Sequence, residues 1–536
     1  MRFDKRFCAR TAVAAGLAAS MVSGFGLTPV HAQTKPTIPP ASQAGTVVRQ
    51  MSIDDAVAMA LEQNLDLQVQ RINPQLRDLD IAAFRANYTP NFNSTVSLVD
   101  QSQPPASLLA GNTSQLTTGR STLDFGVNQL TPWYGGQYNV QWTNGRTTTN
   151  NIYTSFDPQL TGGIQASYVQ PLLRNFKIDG VRQQLLVSQK NREIADTQLQ
   201  QSISNTVRSV RNAFYDLMYA IGNLNVQRQS LQLAEQSLKD NRARVEIGTM
   251  APLDIVQAEA EVATREESVI LAEAAIERQQ DAVRALVFNP KSPDFWTARI
   301  EPSESVTFTP TVVDVDSAVA NALSQRTDLV VARKNIEATD VNIRYFNNQS
   351  MPDLNASINY SAQAIGGVGL IRGESPDGGL LPGPVIGTRE RSYWDTLGVL
   401  FGGDFPGWTF SLDMVYPIGR SASEANLARA RLQQSQNQRN IAALELDVAT
   451  QVREAARQVT TNAKRVDATR ASRALAEKRL EAEEKKYQAG MTSSFFVLTA
   501  QRDLIVARNS ELLALVQYAQ AVVNFTAVQQ APLGAP

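Results

Sequence analysis

The chain has 536 residues, with 50 Lys and Arg against 51 Asp and Glu, a single Cys (Cys8) and a single His (His31). Both rare residues fall within the first 32 positions, so the rest of the sequence offers no thiol nucleophile, disulfide, imidazole base or Cys/His zinc site. The near-even charge balance gives no electrostatic footprint for nucleic acid.

The first 32 residues read as a secretory signal. Arg2, Lys5, Arg6 and Arg10 form a basic start, Thr11–Leu27 is small and apolar, and Val30-His31-Ala32 offers a cleavage site before Gln33. Cys8 precedes the apolar run, which argues against lipidation there. Removing the segment takes away four basic residues and Asp4, leaving 46 basic against 50 acidic, a net charge of −4. No later stretch reaches 18 consecutive apolar residues, so no membrane-crossing helix is expected. A β-barrel, whose strands signal weakly, stays open.

Beyond the signal the chain is a tandem duplication. DDAVAMALEQNLDL from Asp54 lies over DSAVANALSQRTDL from Asp316 at an offset of 262, in register through Pro90-Asn91-Phe92-Asn93 and Pro352-Asp353-Leu354-Asn355. VQPLLRNF from Val169 resembles VYPIGRSA from Val415, and EIGTMAPLDIVQAEAEV from Glu246 resembles YQAGMTSSFFVLTAQRDL from Tyr487. The chain divides into the signal (1–32), a first repeat (33–300), a second repeat (301–530) and a short tail (531–536).

In the first repeat the patterns predict a helix over 52–88, strands over about 90–171, a long helix over 181–247, a break at Gly248 and a return helix over 251–287. In the second they predict a helix over 314–349, strands at about 353–364 and 406–417 around an exposed Gly- and Pro-rich loop (Gly366–Pro406), a long helix over 421–489, a break at Gly490 and a return helix over 493–528. The long helices would measure about 100 Å and the short ones about 54 Å, so two short helices end to end match one long one. Ile255, Val262, Val269, Ile276 and Val283 recur every seven residues, as do Val452, Val459 and Val466, and Leu498, Ile505 and Leu512. That period marks coiled-coil seams, read as packing. The proline-rich segments 33–50, 289–313 and 529–536 would lie part-way along the rod as a belt or loose ends.

Between the helices the period is two. Phe92, Val96 and Leu98; Leu123, Phe125 and Val127; Tyr138, Val140 and Trp142; Ile164, Ala166 and Tyr168; Leu354, Ala356, Ile358 and Tyr360; and Trp408, Phe410, Leu412, Met414 and Tyr416 each alternate with polar or small residues. Such strands suit a barrel with lipid outside and water inside, although any half-buried antiparallel sheet alternates in this way. Trp133, Tyr134, Trp394, Trp408 and Tyr416, near strand ends, suit a membrane interface.

Taken together, SIDDAVAMALEQNLDL, ASYVQPLL, the two glycine breaks and YQAGMTSSFFVLTAQ resemble the TolC family of outer-membrane efflux channels over nearly the whole chain beyond the signal. The resemblance implies a mainly α protein with a membrane β part: a trimeric β-barrel outer-membrane channel continued by a long coiled-coil α-helical periplasmic tunnel, with two tandem structural repeats per subunit. It implies a homotrimer in the cell outer membrane extending into the periplasm. Its partners would be a periplasmic adaptor (membrane fusion) protein, an inner-membrane transporter and outer-membrane lipid. Such a protein is a passive exit duct for small molecules or secreted proteins, with no cofactor, no metal and no catalysis. One departure stands out: the family usually has two strands per half, whereas this first half shows an extra pair (about 121–130 and 136–144) joined by TPWYGGQ. The clean alternation of this hairpin predicts that it widens the barrel, with Phe125 and Trp142 facing lipid.

The resemblance also assigns sites. Gly248, Thr249, Met250, Gly490, Met491, Thr492 and Ser493 would be exposed, adaptor-facing tips. Asp254, Tyr487, Phe495, Phe496 and Thr499 would surround the periplasmic gate. Family members commonly carry carboxylates six and nine positions after the second glycine, where this chain has Phe496 and Thr499. Asp254 is sixth after the first glycine. Tyr487, three before the second, matches a family aromatic that can hydrogen-bond to such an aspartate across neighbouring helices. A Tyr487–Asp254 latch is therefore expected. Phe495 and Phe496 have two readings: an apolar ring that narrows the hole and resists wetting, or packing inside the coiled coil. Two other functions stand beside the duct. One is a coiled-coil envelope protein without a pore. The other is a carboxylate-based enzyme such as a glycoside hydrolase, against which most carboxylates sit on helix faces beside Lys and Arg.

Overall fold

The computed structural model describes residues 48–105, 114–293, 295–375, 382–419 and 421–529; the signal segment with Cys8 and His31, and the tail 531–536, lie outside the described residues. The first repeat runs β1 (Val48–Met51), α1 (Ile53–Gln63), α2 (Leu65–Ala86), β2 (Asn91–Gln103), β3 (Leu116–Leu130), β4 (Gln137–Thr149), β5 (Phe156–Pro171), α3 (Gly180–Glu246) and α4 (Pro252–Val287). The second runs β6 (Arg299–Pro302), α5 (Val315–Gln325), α6 (Thr327–Gln349), β7 (Asp353–Arg372), β8 (Val385–Arg391), α7 (Tyr393–Gly402), β9 (Pro406–Val415), α8 (Ala422–Gln488) and α9 (Ser494–Gln529).

α3 and α8 are each 67 residues long, and α4 and α9 are each 36, which makes them about 100 Å and 54 Å. Their starts are capped as their sequences dictate. The Asp179 carboxylate accepts from the Arg182 N–H, Ser421 and Glu424 form a capping box, and Pro252 occupies the first turn of α4, where its missing N–H costs nothing. Each of the expected helices 52–88 and 314–349 is in fact two. The chain leaves helical geometry at Asn64 (ψ 123°) and again at the repeat-equivalent Arg326 (ψ 127°). At Asn64 the side chain caps the new helix at Leu67 N–H and donates to the Leu286 carbonyl, so the break is fixed by side-chain bonds that compete with the helix ladder.

The main core joins α1, α3 and α4 to β6. Phe214, Leu217 and Ile300 are fully buried among Ile53, Ile276 and Val283, each contributing about 1.5–3 kcal/mol by transfer from water. β6 pairs in parallel with β1, so part of the two proline-rich segments forms a small sheet, part-way along the helices, rather than loose chain. On α8, Val452, Val459 and Val466 are buried as the heptad requires. On α9 the buried heptads are Val497, Leu504, Glu511, Tyr518 and Ala500, Ala507, Ala514, Ala521, while Leu498, Ile505 and Leu512 are only half-buried. The seam thus runs one position before the expected one. Small alanines let the helix lie close to its neighbours, and two polar-tipped residues share the seam. One window of α9 is apolar enough to cross a membrane by length and composition, yet α9 packs along α8 and α3 throughout.

The strands form one antiparallel sheet in the order β2-β3-β4-β5-β7, with β9 pairing the first half of β7 and β8 its far half. The β3–β4 hairpin is part of this sheet. Phe125 pairs with Trp142, Trp142 with Ile164, Ile164 with Ala362, and Tyr360 with Trp408, so the register puts the apolar member of every strand on one face. Asn93, Asn139, Gln141, Gln165, Asn359 and Thr409 share the other face. The segment Gly366–Pro406, expected as an exposed loop, instead lengthens β7, adds β8 and supplies α7. Residues 376–381 of this segment lie outside the described residues.

Candidate functional site

At the end of each long helix the chain turns in the same way. Gly248 (φ +79°) donates to Val245 O while Thr249 donates to Arg244 O; Gly490 (φ +73°) donates to Tyr487 O while Met491 donates to Lys486 O. This paired arrangement closes the helix through a left-handed residue, which glycine adopts without a Cβ penalty. A Cβ at either glycine would meet nothing within 4 Å, so backbone conformation, not space, demands glycine there.

Around the two turns, Thr249, Met491 and Ser493 are exposed, whereas Met250 and Thr492, expected to be exposed as well, are half-buried. Met250 is turned inwards because its sulfur accepts from the Tyr487 hydroxyl across the two hairpins at 3.8 Å. Tyr487 also reaches the buried Asn241 at 3.4 Å, and the Arg244 guanidinium lies 4.5 Å over its ring. The expected Tyr487–Asp254 bond is not made within the subunit. Asp254 instead accepts from the buried Ser494 hydroxyl at 3.3 Å. Each partner thus ties hairpin α3–α4 to hairpin α8–α9 separately.

Phe495 and Phe496 stack edge to face at 5.6 Å and are 60% and 52% exposed, while Ser494 and Val497 beside them are buried. They therefore do not fill their own subunit's coiled coil. Thr499 is half-buried and donates back to the Phe495 carbonyl.

A third tie was missed by sequence reasoning. Glu261 is buried in the α4 seam, where Arg265 donates to it at 2.8 Å and Arg502 of α9 closes on its other oxygen. Burial by itself raises the Glu261 carboxyl, but the hydrogen bonds from Arg502 and Arg265 outweigh it and hold the group below its ordinary value. The signal that could have revealed it is an acid on the buried side of α4, close to Val262.

The sheet supplies the other half of the site. On the apolar face Phe92, Val96 and Leu98 of β2 and Trp408, Phe410, Leu412 and Met414 of β9 are all more than half exposed, and exposed apolar surface of this kind marks an interaction or membrane surface. The polar face is laced by bonds such as Ser357–Ser411 at 2.6 Å. Among the described residues, β2 has a strand neighbour only on the β3 side and β9 only on the β7 side, leaving two open edges. Such edges call for pairing with further strands. Among the described residues no group of three or more His, Cys, Asp or Glu is placed to hold a metal ion.

The family model described as outer membrane efflux protein matches residues 56–287 and again 318–528. No curated protein matches the sequence. Solved structures share the fold, among them the following three. A membrane protein from Pseudomonas aeruginosa has a TM-score of 0.63 and 16% identity, covering 90% of this chain and 94% of that one. The CmeC outer membrane channel of Campylobacter jejuni has a TM-score of 0.61 and 13% identity, covering 95% and 94%. The open state of the MtrE outer membrane channel of Neisseria gonorrhoeae has a TM-score of 0.60 and 16% identity, covering 94% and 98%.

Proposed function

The chain belongs to the outer membrane efflux protein family, which makes it an exit duct of the cell outer membrane, and on that premise we propose how this subunit builds and gates the duct. Three copies pair β9 of one with β2 of the next and close a single barrel. The observation that carries this is the one-sided sheet with two open edges: outside the part that α7 covers, lipid would bury its apolar face, and neighbouring strands would bury its edges. With β2, β3, β4, β5, β7 and β9 from each copy, the barrel has about eighteen strands. Since diameter grows nearly in proportion to strand number, it is roughly half as wide again as one of twelve. The polar face lines the water-filled lumen, which α3, α4, α8 and α9 continue into the periplasm.

At the far end, Gly248, Thr249, Gly490, Met491 and Ser493 present the turns to a periplasmic adaptor, behind which an inner-membrane transporter supplies the energy. Met250 and Thr492 support them from inside. Phe495 and Phe496, turned away from their own coiled coil, form the apolar constriction. Asp254 and Tyr487 hold the two hairpins together through Ser494 and through Asn241, Arg244 and Met250, and Thr499 flanks the ring. The duct itself does no chemistry and selects little. The test is export by cells lacking the gene, across dyes, antibiotics, metal ions and secreted proteins, with the intact gene restored. Retention of at least one class, relieved by the restored gene, is expected; unchanged export of every class refutes the proposal.

A further inference from the structure

α7 is placed where a loop over the pore mouth is not. It lies across β5 and β7 on the apolar face of the sheet, with Leu397 and Leu400 buried against Ala362 and Ala364, and with Trp142 and Ile164 beside them. The seat is shaped for it. A Cβ at Gly366 would sit 1.9 Å from Thr396 Oγ1, so that strand glycine lets the helix approach, and Leu400 packs over Gly162. The Tyr393 hydroxyl donates to Asn144 Oδ1 at 2.7 Å, satisfying a polar side chain on this face, just before Arg146 on the same strand. Ser392 and Asp395 form a capping box at one end, and Gly403 (φ +71°) closes the other. The Thr396 hydroxyl is fully buried and donates to the Ser392 carbonyl.

One exposed flank of α7 is also apolar, with the Phe401 ring edge-on to Trp142 at 6.5 Å. Trp394 is 78% exposed and Phe401, seven residues on, is 68% exposed; Phe405 comes after them at 66%. α7 carries no charged residue other than the capping Asp395, whereas Arg389, Glu390 and Arg391 stand exposed just before it. A helix with its backbone satisfied internally, apolar on its seat and along one exposed flank, and continuous with a lipid-facing wall, has the features required next to hydrocarbon. A pore plug would have to lie on the polar face, and the register excludes that.

We infer that α7 is a membrane-seated element of the barrel's outer wall, with Trp394 and Phe401 packing on acyl chains and Arg389–Arg391 at the level of the headgroups. This rests on the duct reading, because only a barrel in a bilayer puts the apolar face in lipid. The test uses full-length trimers in phosphatidylcholine–phosphatidylglycerol vesicles, with and without acyl-brominated lipid. One variant keeps Trp394 as the sole tryptophan (W133F, W142F, W296F, W408F), and a second keeps Trp408, which stands on the sheet itself. Bromine is expected to quench Trp394 as strongly as Trp408, while acrylamide quenches neither appreciably. Quenching of Trp408 alone overturns the inference and leaves the duct standing. Absence of quenching at both sites overturns the duct reading together with it. F401C carrying a spin label gives an independent reading: greater accessibility to oxygen than to an aqueous nickel chelate is expected, and the reverse order overturns the inference.

Discussion

Glu261→Gln should loosen the tunnel tip without disturbing its shape. The Glu261 side chain is 6% exposed, Arg265 is 14% exposed and Arg502 is 57% exposed. Breaking a wholly buried pair costs about 3–5 kcal/mol. Arg502, however, keeps much of its hydration when unpaired, so the scale of a charge-assisted hydrogen bond, about 1.5–3 kcal/mol, applies. At about 1.4 kcal/mol per decade, amides on either side of Glu261 in α4 and of Arg502 in α9 should exchange hydrogen roughly tenfold to a hundredfold faster. The pH dependence has a definite sign. The folded carboxyl lies below its unfolded value of about 4.3, so its stabilisation is present above that value and lost as pH falls through the folded one. After correction for intrinsic rates, the wild-type tip should lose protection on acidification towards the level of E261Q, which has no such loss of its own from this site. Equal exchange in the two proteins at neutral pH, or acceleration spread evenly along α3 and α8, would refute the tie.

The same structure predicts further outcomes. F496A and D254A should each raise the closed-state conductance of single channels; if neither changes it, the apolar ring and the hairpin ties do not close the duct. Replacing the β3–β4 hairpin by a short turn from β2 to β5 leaves a legal antiparallel order and about two-thirds of the strands. Open-channel conductance should then fall to roughly half, as the cross-section of the narrower barrel requires. Phe214→Ala, at a fully buried position of the main core, should cost about 3–5 kcal/mol, read as a lower midpoint of thermal dissociation. G248A and G490A should each cost about 1 kcal/mol through the left-handed backbone alone, visible as faster exchange confined to the tips.

Periodicity made most of the architecture legible. The four longest helices lie within a residue of the expected bounds, because coiled-coil seams and capping residues are local signals. The strand faces were equally readable from alternation, and pairing in the sheet carries Phe125 and Trp142 onto the apolar side. What escaped depends on partners far away in sequence. The break at Asn64 needs the Leu286 carbonyl. The α9 seam shifts by one position because alanines allow close approach and Glu511 finds Arg473. α7 looked like loop because its glycines and short length hide a helix whose Leu397 and Leu400 find their partners on distant strands, over a close approach at Gly366. At the tips, the sequence pointed to Tyr487 and Asp254, but their partners, Asn241, Arg244 and Ser494, emerge only when the two hairpins lie side by side.

Ion conduction by the purified chain in a planar lipid bilayer tests the central claim most directly. Trimers inserted from one side should produce discrete, long-lived current steps, small for the intact protein and larger when the F496A and D254A substitutions are combined. Inserted trimers that give no steps, with or without those substitutions, would contradict the claim that this chain forms an outer-membrane duct.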